Sequence, residues 1–222
     1  MLNLSAFNYN EGVVFMKSKL FIVLIILSLL FTLTSVTAAD NQSEIISDSA
    51  DYHPFSELNQ SISESTGELN LEHDYACDNG SIRIIKENEF VINGNGHIID
   101  GAVNSKPFIF NSKDVITINN LTFQNFVNSS LRIRSPVIFN NVSFINCTSQ
   151  YVTSFLYCND KVQFDGCIIK DINMTYTFIS SYVGGTIFKN SVVSGGYIDE
   201  GLISVDRQGL VVENCSFENF SS

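Results

Sequence analysis

The sequence predicts an all-β protein: a single-stranded, right-handed parallel β-helix of about six coils, preceded by a signal peptide and a flexible linker. Three observations carry this. Turn residues recur as Gly96, Asn120, Asn141, Gly166, Asn190 and Asn214, at steps of 24, 21, 25, 24 and 24 residues, and fixed self-similarity of that length marks stacked supersecondary units. Apolar columns line up around those anchors, for instance Ile118, Phe139, Phe164, Phe188 and Val212 two residues before, and Phe123, Phe144, Ile169, Val193 and Phe217 three after. Within each unit the apolar residues alternate with mostly polar ones over short runs, which is strand spacing.

Taken in order, the chain opens on residues 1–39, which fit a signal peptide whose true start is Met16. Lys17 and Lys19 precede an apolar run over 20–31, and Ala38 and Ala39 offer small residues for cleavage. The competing reading is an uncleaved signal anchor; in both cases the repeats are exported. Residues 40–67 are rich in Ser, Asp, Glu and Asn and read as a flexible acidic linker. The β-helix domain then occupies 68–222. Its first alternating stretch, from Glu68 to Tyr75, together with Ile82 to Ile85, is expected to cap the open end that every solenoid must cover.

Each coil needs about three short strands joined by tight bends. The anchor bends fall on Asn or Gly, which tolerate a left-handed backbone. Five residues after each anchor comes a second turn column: Gly101, Asn125, Asn146, Asp171, Gly195 and Asn219. A second apolar triplet (Phe108-Ile109-Phe110 in one coil, Leu131-Arg132-Ile133 in the next) precedes each anchor and supplies the third strand. Stacked at the strand spacing of ~4.8 Å, six such coils make a core about 25–30 Å long, and bend asparagines would share amide hydrogen bonds between coils. The repeats stop just after Asn219 without a terminal helix. The expectation is a domain truncated at its C-terminal end and able to associate end to end through an uncapped last coil.

Composition bounds the partners. A formal charge of −11 argues against nucleic acid and against an anionic membrane surface, so the membrane is met only through the leader, if that stays uncleaved. The ten acids between Asp40 and Asp78 are matched by no Lys or Arg, which leaves the repeats close to neutral.

With those residues laid out, the stretch FVINGNGHIIDG over 90–101, followed by VITINNLTFQN over 115–125, resembles the opening coils of adhesin-like surface proteins of methanogenic archaea. Those are similar to the pectate-lyase-like β-helix class, and the likeness covers roughly residues 68–219. It implies the β-helix fold and a secreted, cell-surface protein, and says little of activity. A low-oxygen habitat, which the resemblance implies, permits exported free thiols.

Polysaccharide lyases and glycoside hydrolases share this fold, so catalysis is the competing reading. Glycoside hydrolysis wants two facing carboxyl groups, yet Asp165 stacks between Asn140 and Lys189, and Asp171 between Asn146 and Gly195. Lyase chemistry wants a calcium cage beside a basic residue. Arg132 and Arg134 are the candidates for the base, but no acids surround them, and an exposed strand face is the simpler reading. His73 and His97 read as structural, His97 as a neutral, hydrogen-bonded imidazole near the cap. No catalytic, metal or cofactor residue is assigned and no cofactor is expected. Cys167 and Cys215 share a column two coils apart, beyond disulfide reach; Cys77, Cys147 and Cys158 are left open to pairing. Glycosylation motifs suit Asn41, Asn59, Asn128 and Asn173 better than the turn columns.

What remains is binding. Tyr151, Tyr176, Tyr182 and Tyr197 lie in the segments between anchors, where their rings could stack on sugars or a protein surface or simply cover the edges of the core. Ile138, Ile187 and Val211 share an outward apolar column. The sequence reading is therefore a non-catalytic adhesion module whose side face holds a cell-surface glycan or protein; the alternative is a polysaccharide lyase or hydrolase.

Overall fold

The computed structural model describes residues 51–78, 80–102, 108–128, 131–150 and 154–221, all within the unit spanning Asp48–Ser222. The leader, the first part of the acidic stretch and Tyr151 lie outside the described residues.

Alternating residues fold as three parallel sheets wound into a right-handed β-solenoid of about six turns. Sheet I has seven strands, among them Phe90–Asn93, Ile116–Asn119, Val137–Asn140, Val162–Asp165 and Thr186–Lys189. Sheet II follows each anchor bend, with Ile98–Asp100, Thr122–Gln124, Ser143–Ile145, Ile168–Met174, Val192–Ile198 and Ser216–Glu218. Sheet III has six strands: Ile82–Lys86, Phe108–Ser112, Leu131–Ile133, Ser154–Cys158, Thr177–Ser181 and Gly201–Val205.

Register explains the columns. Phe139 pairs with Ile118 on one side and Phe164 on the other, and Phe164 with Phe188. All four side chains are buried, because a strand period of two sends every second residue inward. The rings of successive coils stack: Phe123 on Phe144 at 5.4 Å, Phe155 on Phe178 at 5.3 Å and Phe164 on Phe188 at 4.5 Å between centroids. Such offset pairs contribute about 0.5–1.5 kcal/mol each beyond their buried area.

The bends behave as their residues require. Asn120, Asn141, Asn190 and Asn214 sit at φ of 49°, 51°, 50° and 53°, in the left-handed region that other L-residues occupy only at a cost. Gly166 at +63° completes the column, and a Cβ there would meet the Asn141 side-chain oxygen at 2.4 Å.

An amide ladder runs along the last residues of the sheet I strands. Asn93 donates to Asn70 at 3.0 Å, Asn119 to Asn93 at 2.9 Å and Asn140 to Asn119 at 3.0 Å. It ends at Asp165, which has no amide hydrogens to pass on and instead accepts from Asn190 at 2.9 Å. In the second turn column Asn146 donates to Asn125 at 2.8 Å.

Two expectations are corrected. The flexible linker does not extend to Gly67, because helix α1, Phe55–Glu64, covers the end of the solenoid. Phe55, Leu58 and Ile62 form its buried face, at the three- and four-residue spacing of an amphipathic helix. Asn59 closes the sheet edge: its amide donates to the Ser81 carbonyl at 2.8 Å, and its oxygen accepts from Arg83 N–H at 3.2 Å. Lys86 donates to the carbonyls of Ile62 and Ser65 at the helix C-terminus, where a cation complements the exposed carbonyls. The cap is therefore α1, and Glu68–Asn70, Tyr75–Ala76 and Ile82–Lys86 form an ordinary coil beneath it.

The first anchor bend is also longer than the others. Counting from the anchors sets Ile92, four residues before Gly96, beside Ile116, four before Asn120; Ile92 instead pairs with Ile118 and Phe90 with Ile116, so that alignment is two residues out. The turn at Asn95 and Gly96 absorbs the difference, and from Ile98, opposite Thr122, the register matches again.

At the far end, Leu210–Glu213 and Ser216–Glu218 are exposed throughout. Their column residues Val212 and Phe217 lack a further coil above them among the described residues.

Candidate functional site

The outward face of sheet III gathers the side chains best suited to recognition. Arg132 pairs with Ile109 below and Tyr157 above, and Arg83 pairs with Ile109 from the other side. One outward column thus reads Arg83, Ile109, Arg132, Tyr157. Backbone hydrogen bonds extend the ladder by one more outward position. Arg134 N–H reaches Phe110 O at 2.8 Å, Asn159 N–H reaches Ile133 O at 2.8 Å, and Tyr182 N–H reaches Cys158 O at 3.0 Å. The neighbouring column therefore reads Ile85, Asn111, Arg134, Asn159, Tyr182 and, by the Asp206 N–H bond to Ser181 O at 2.9 Å, Asp206.

Local sequence accounts for this placement. Leu131 and Ile133 are buried, which turns the intervening Arg132 outward, and Arg134 projects from the same face two residues on. Arg83, Arg132 and Arg134 are exposed, Tyr182 is 38 % exposed, and the Tyr157 and Tyr182 rings lie 5.0 Å apart at 38°. The carboxylates Glu87 and Asp160 fall in the following bends, where Lys113 pairs with Glu87.

Of the tyrosines the sequence points to, the three among the described residues, Tyr176, Tyr182 and Tyr197, do not converge. Tyr176 and Tyr182 flank the sheet III strand Thr177–Ser181. Tyr197 lies on sheet II opposite Asn173, beside an open cleft lined also by Thr148, Gly196 and Phe220. Tyr157 was missed as a surface aromatic because it closes an otherwise apolar triplet. Its outward direction was nonetheless legible from its alignment with Arg132.

The groups weighed for catalysis have structural partners. Asp165 sits between Asn140 and Lys189 in the sheet I register. His97 Nδ1 lies 3.0 Å from Asp74 Oδ1, and the same oxygen accepts the Ile98 N–H at 2.9 Å, so this pair clamps two coils together. His73 stacks on His53 at 3.9 Å, and His53 Nδ1 lies 2.6 Å from Glu57 Oε2. Among the described residues no three His, Cys, Asp or Glu side chains gather as metal ligands.

None of the five cysteines is joined in a disulfide, so the pairing left open for Cys77, Cys147 and Cys158 is not formed. Cys147, Cys158 and Cys167 are buried, which pushes their thiols up, to about 12 for Cys147 and Cys167. A thiol held protonated is a poor nucleophile. Between Cys167 and Cys215 stands Ser191, whose hydroxyl accepts the Cys167 N–H at 3.0 Å. Of the glycosylation motifs, Asn173 is exposed, whereas Asn59 spends its amide on the cap contacts and does not suit a glycan.

No protein-family model, curated protein or solved structure matches this chain.

Proposed function

We propose that the chain is an exported, non-catalytic adhesion module that holds a cell-surface glycan or protein against one side of its β-helix. The observation that supports this reading is the sheet III face, where exposed Arg132 and Arg134 adjoin the Tyr157–Tyr182 pair. Arginine and tyrosine are the residues most enriched at recognition surfaces, because a planar guanidinium and a two-torsion ring give contact area at low entropic cost. The apolar leader over 20–31 supports export, and the resemblance to adhesin-like methanogen surface proteins supports a cell-surface setting.

A carbohydrate-active enzyme on the same scaffold is the weaker reading, since it wants paired carboxylates and Asp165 stands between an amide and an ammonium group. The test is whole-cell and glycan-array binding by the full chain, run beside an assay for glycan cleavage. Retained, non-degraded ligand supports the module. Turnover of acidic glycans by the purified protein contradicts it.

A further inference from the structure

From the strand register of sheet II we infer that Asn173 carries an N-linked glycan whose first sugar lies against the Tyr197 ring in the cleft beside it. This rests on the reading that the chain is exported, because acceptor asparagines of this kind are modified on secreted chains.

The first argument is the acceptor. Asn173-Met174-Thr175 is an Asn-x-Thr motif, and Asn173 is exposed between buried Ile172 and Met174 on strand Ile168–Met174. No hydrogen bond engages its side-chain amide among the described residues. Other motifs serve the fold instead. The Asn59 amide donates to Ser81 O at 2.8 Å, Asn146 to Asn125 at 2.8 Å and Asn214 to Asn190 at 3.4 Å. Asn120 and Asn141 lie over the glycines of adjacent coils. Asn120 Nδ2 is 4.0 Å from where a Gly96 Cβ would stand, and Asn141 Oδ1 is 2.4 Å from that of Gly166. Asn219 stands over Gly195 in the second turn column, so no ring lies beneath it in register.

The second argument is the seat. Asn173 pairs with Thr148 on one side and Tyr197 on the other, and Tyr197 with Ser221. The outward column therefore reads Thr148, Asn173, Tyr197, Ser221. Neighbouring strands lie ~4.8 Å apart, which sets a sugar on the Asn173 amide beside the Tyr197 ring. That ring is 39 % exposed and offers an apolar face to the C–H side of a pyranose. The small residues at either end of the column leave an open cleft of about 680 Å³, lined by both Asn173 and Tyr197. That lies within the roughly 300–1,000 Å³ that hold a small organic ligand.

The covalent step balances with a lipid-linked oligosaccharide phosphate as donor. Asn173 Nδ2 bonds to the anomeric carbon and the bond from that carbon to the phosphate oxygen breaks. The lipid phosphate leaves, and one amide proton passes to a base of the transferring enzyme. In the finished sheet the Asn173 N–H is held by Cys147 O at 3.0 Å, so transfer precedes coil closure and folding then lays the sugar on Tyr197.

The full chain, expressed with its leader in a host that exports and N-glycosylates proteins, tests this by mass spectrometry of the surface fraction. Cleavage after Lys170 and Lys189 releases a peptide in which Asn173 is the single motif. The expected result is a glycan mass on that peptide, lost in Asn173→Gln and in Thr175→Ala, which keeps the asparagine, and retained in Thr175→Ser. Iodination should label Tyr197 in Asn173→Gln and lose most of that label in the glycosylated parent, while Tyr182 labels alike in both. Circular dichroism must show each form folded. An exported chain bare at Asn173, or Tyr197 labelled equally with and without the glycan, would overturn the inference and leave export standing. A chain kept inside the cell and bare overturns both.

Discussion

Phe144 and Phe217 occupy the same internal column of sheet II, linked through Ile169 and Val193. Phe144 is fully buried, whereas Phe217 is 41 % exposed. Phe144 stacks on Phe123 and meets Phe139, Phe155, Phe164 and Phe178 edge-on, while among the described rings Phe217 meets Phe188 alone, at 6.2 Å. Truncating the first therefore removes transfer energy and leaves a cavity; truncating the second mostly trims exposed surface. Phe144→Ala should cost about 3–5 kcal/mol and Phe217→Ala less than about half of that, measured by urea unfolding of the same chain. Equal costs would mean that the last coil is packed like the middle ones.

The amide ladder predicts a position-dependent cost of its own. Asn119 donates to Asn93 and accepts from Asn140, so Asn119→Ala leaves the half-buried Asn93 side-chain oxygen without this donor and the half-buried Asn140 amide group without this acceptor. A loss of about 1–3 kcal/mol is expected by the same unfolding assay. Asn214 makes one longer bond, 3.4 Å to Asn190, and should cost less when its side chain is removed, provided glycine is used there to tolerate its positive φ.

Helix α1 should behave as part of the core. Leu58→Ala is expected to destabilise by about 2–5 kcal/mol. Limited proteolysis of the parent should spare residues 55–64 until global unfolding, and cleavage there in the native protein would mean that the cap is detached.

The buried thiols give stability a pH dependence. Burial raises Cys147 and Cys167 from about 9.0 to about 12 and raises Cys158 as well. A group whose folded-state pKa lies above its unfolded value stabilises fully below the unfolded value, and that stabilisation fades as pH rises toward the folded one. Stability should therefore fall between about pH 9 and 12, by up to about 1.4 kcal/mol per pH unit for each thiol. Cys167→Ala should flatten the slope in equilibrium melts taken across that window. A thiol-reactive dye should label Cys77 and Cys215 in the folded protein and the other three only after unfolding, as their burial requires.

Much of this architecture was legible because the coil imposes its own repeat. Phe139, Phe164 and Phe188 align by counting alone, and the structure pairs them in that register. Counting failed where a bend changed length: the longer turn at Asn95 and Gly96 moved Ile92 opposite Ile118. It failed again where one amphipathic helix interrupted a polar stretch, because three apolar residues among Ser, Glu and Asn leave a weak signal until the solenoid end gives them a surface to cover. The surface was harder still. The Tyr157–Tyr182 contact joins a strand residue to a bend residue in the next coil, and that neighbourhood exists only once bend lengths are fixed.

The stacking of successive coils in register is the claim on which both fold and binding face depend, and disulfide trapping reads it directly. Thr117 and Ile138 face each other outward on adjacent sheet I strands, and Gln163 lies one coil further. With Cys77 and Cys215 replaced by serine, the pair Thr117→Cys and Ile138→Cys should oxidise readily, because neighbouring strands bring them within bonding distance. The pair Thr117→Cys and Gln163→Cys, about 9.6 Å apart across two coils, should not. Failure of the first pair to close, or equal closure of both, would contradict the coil register.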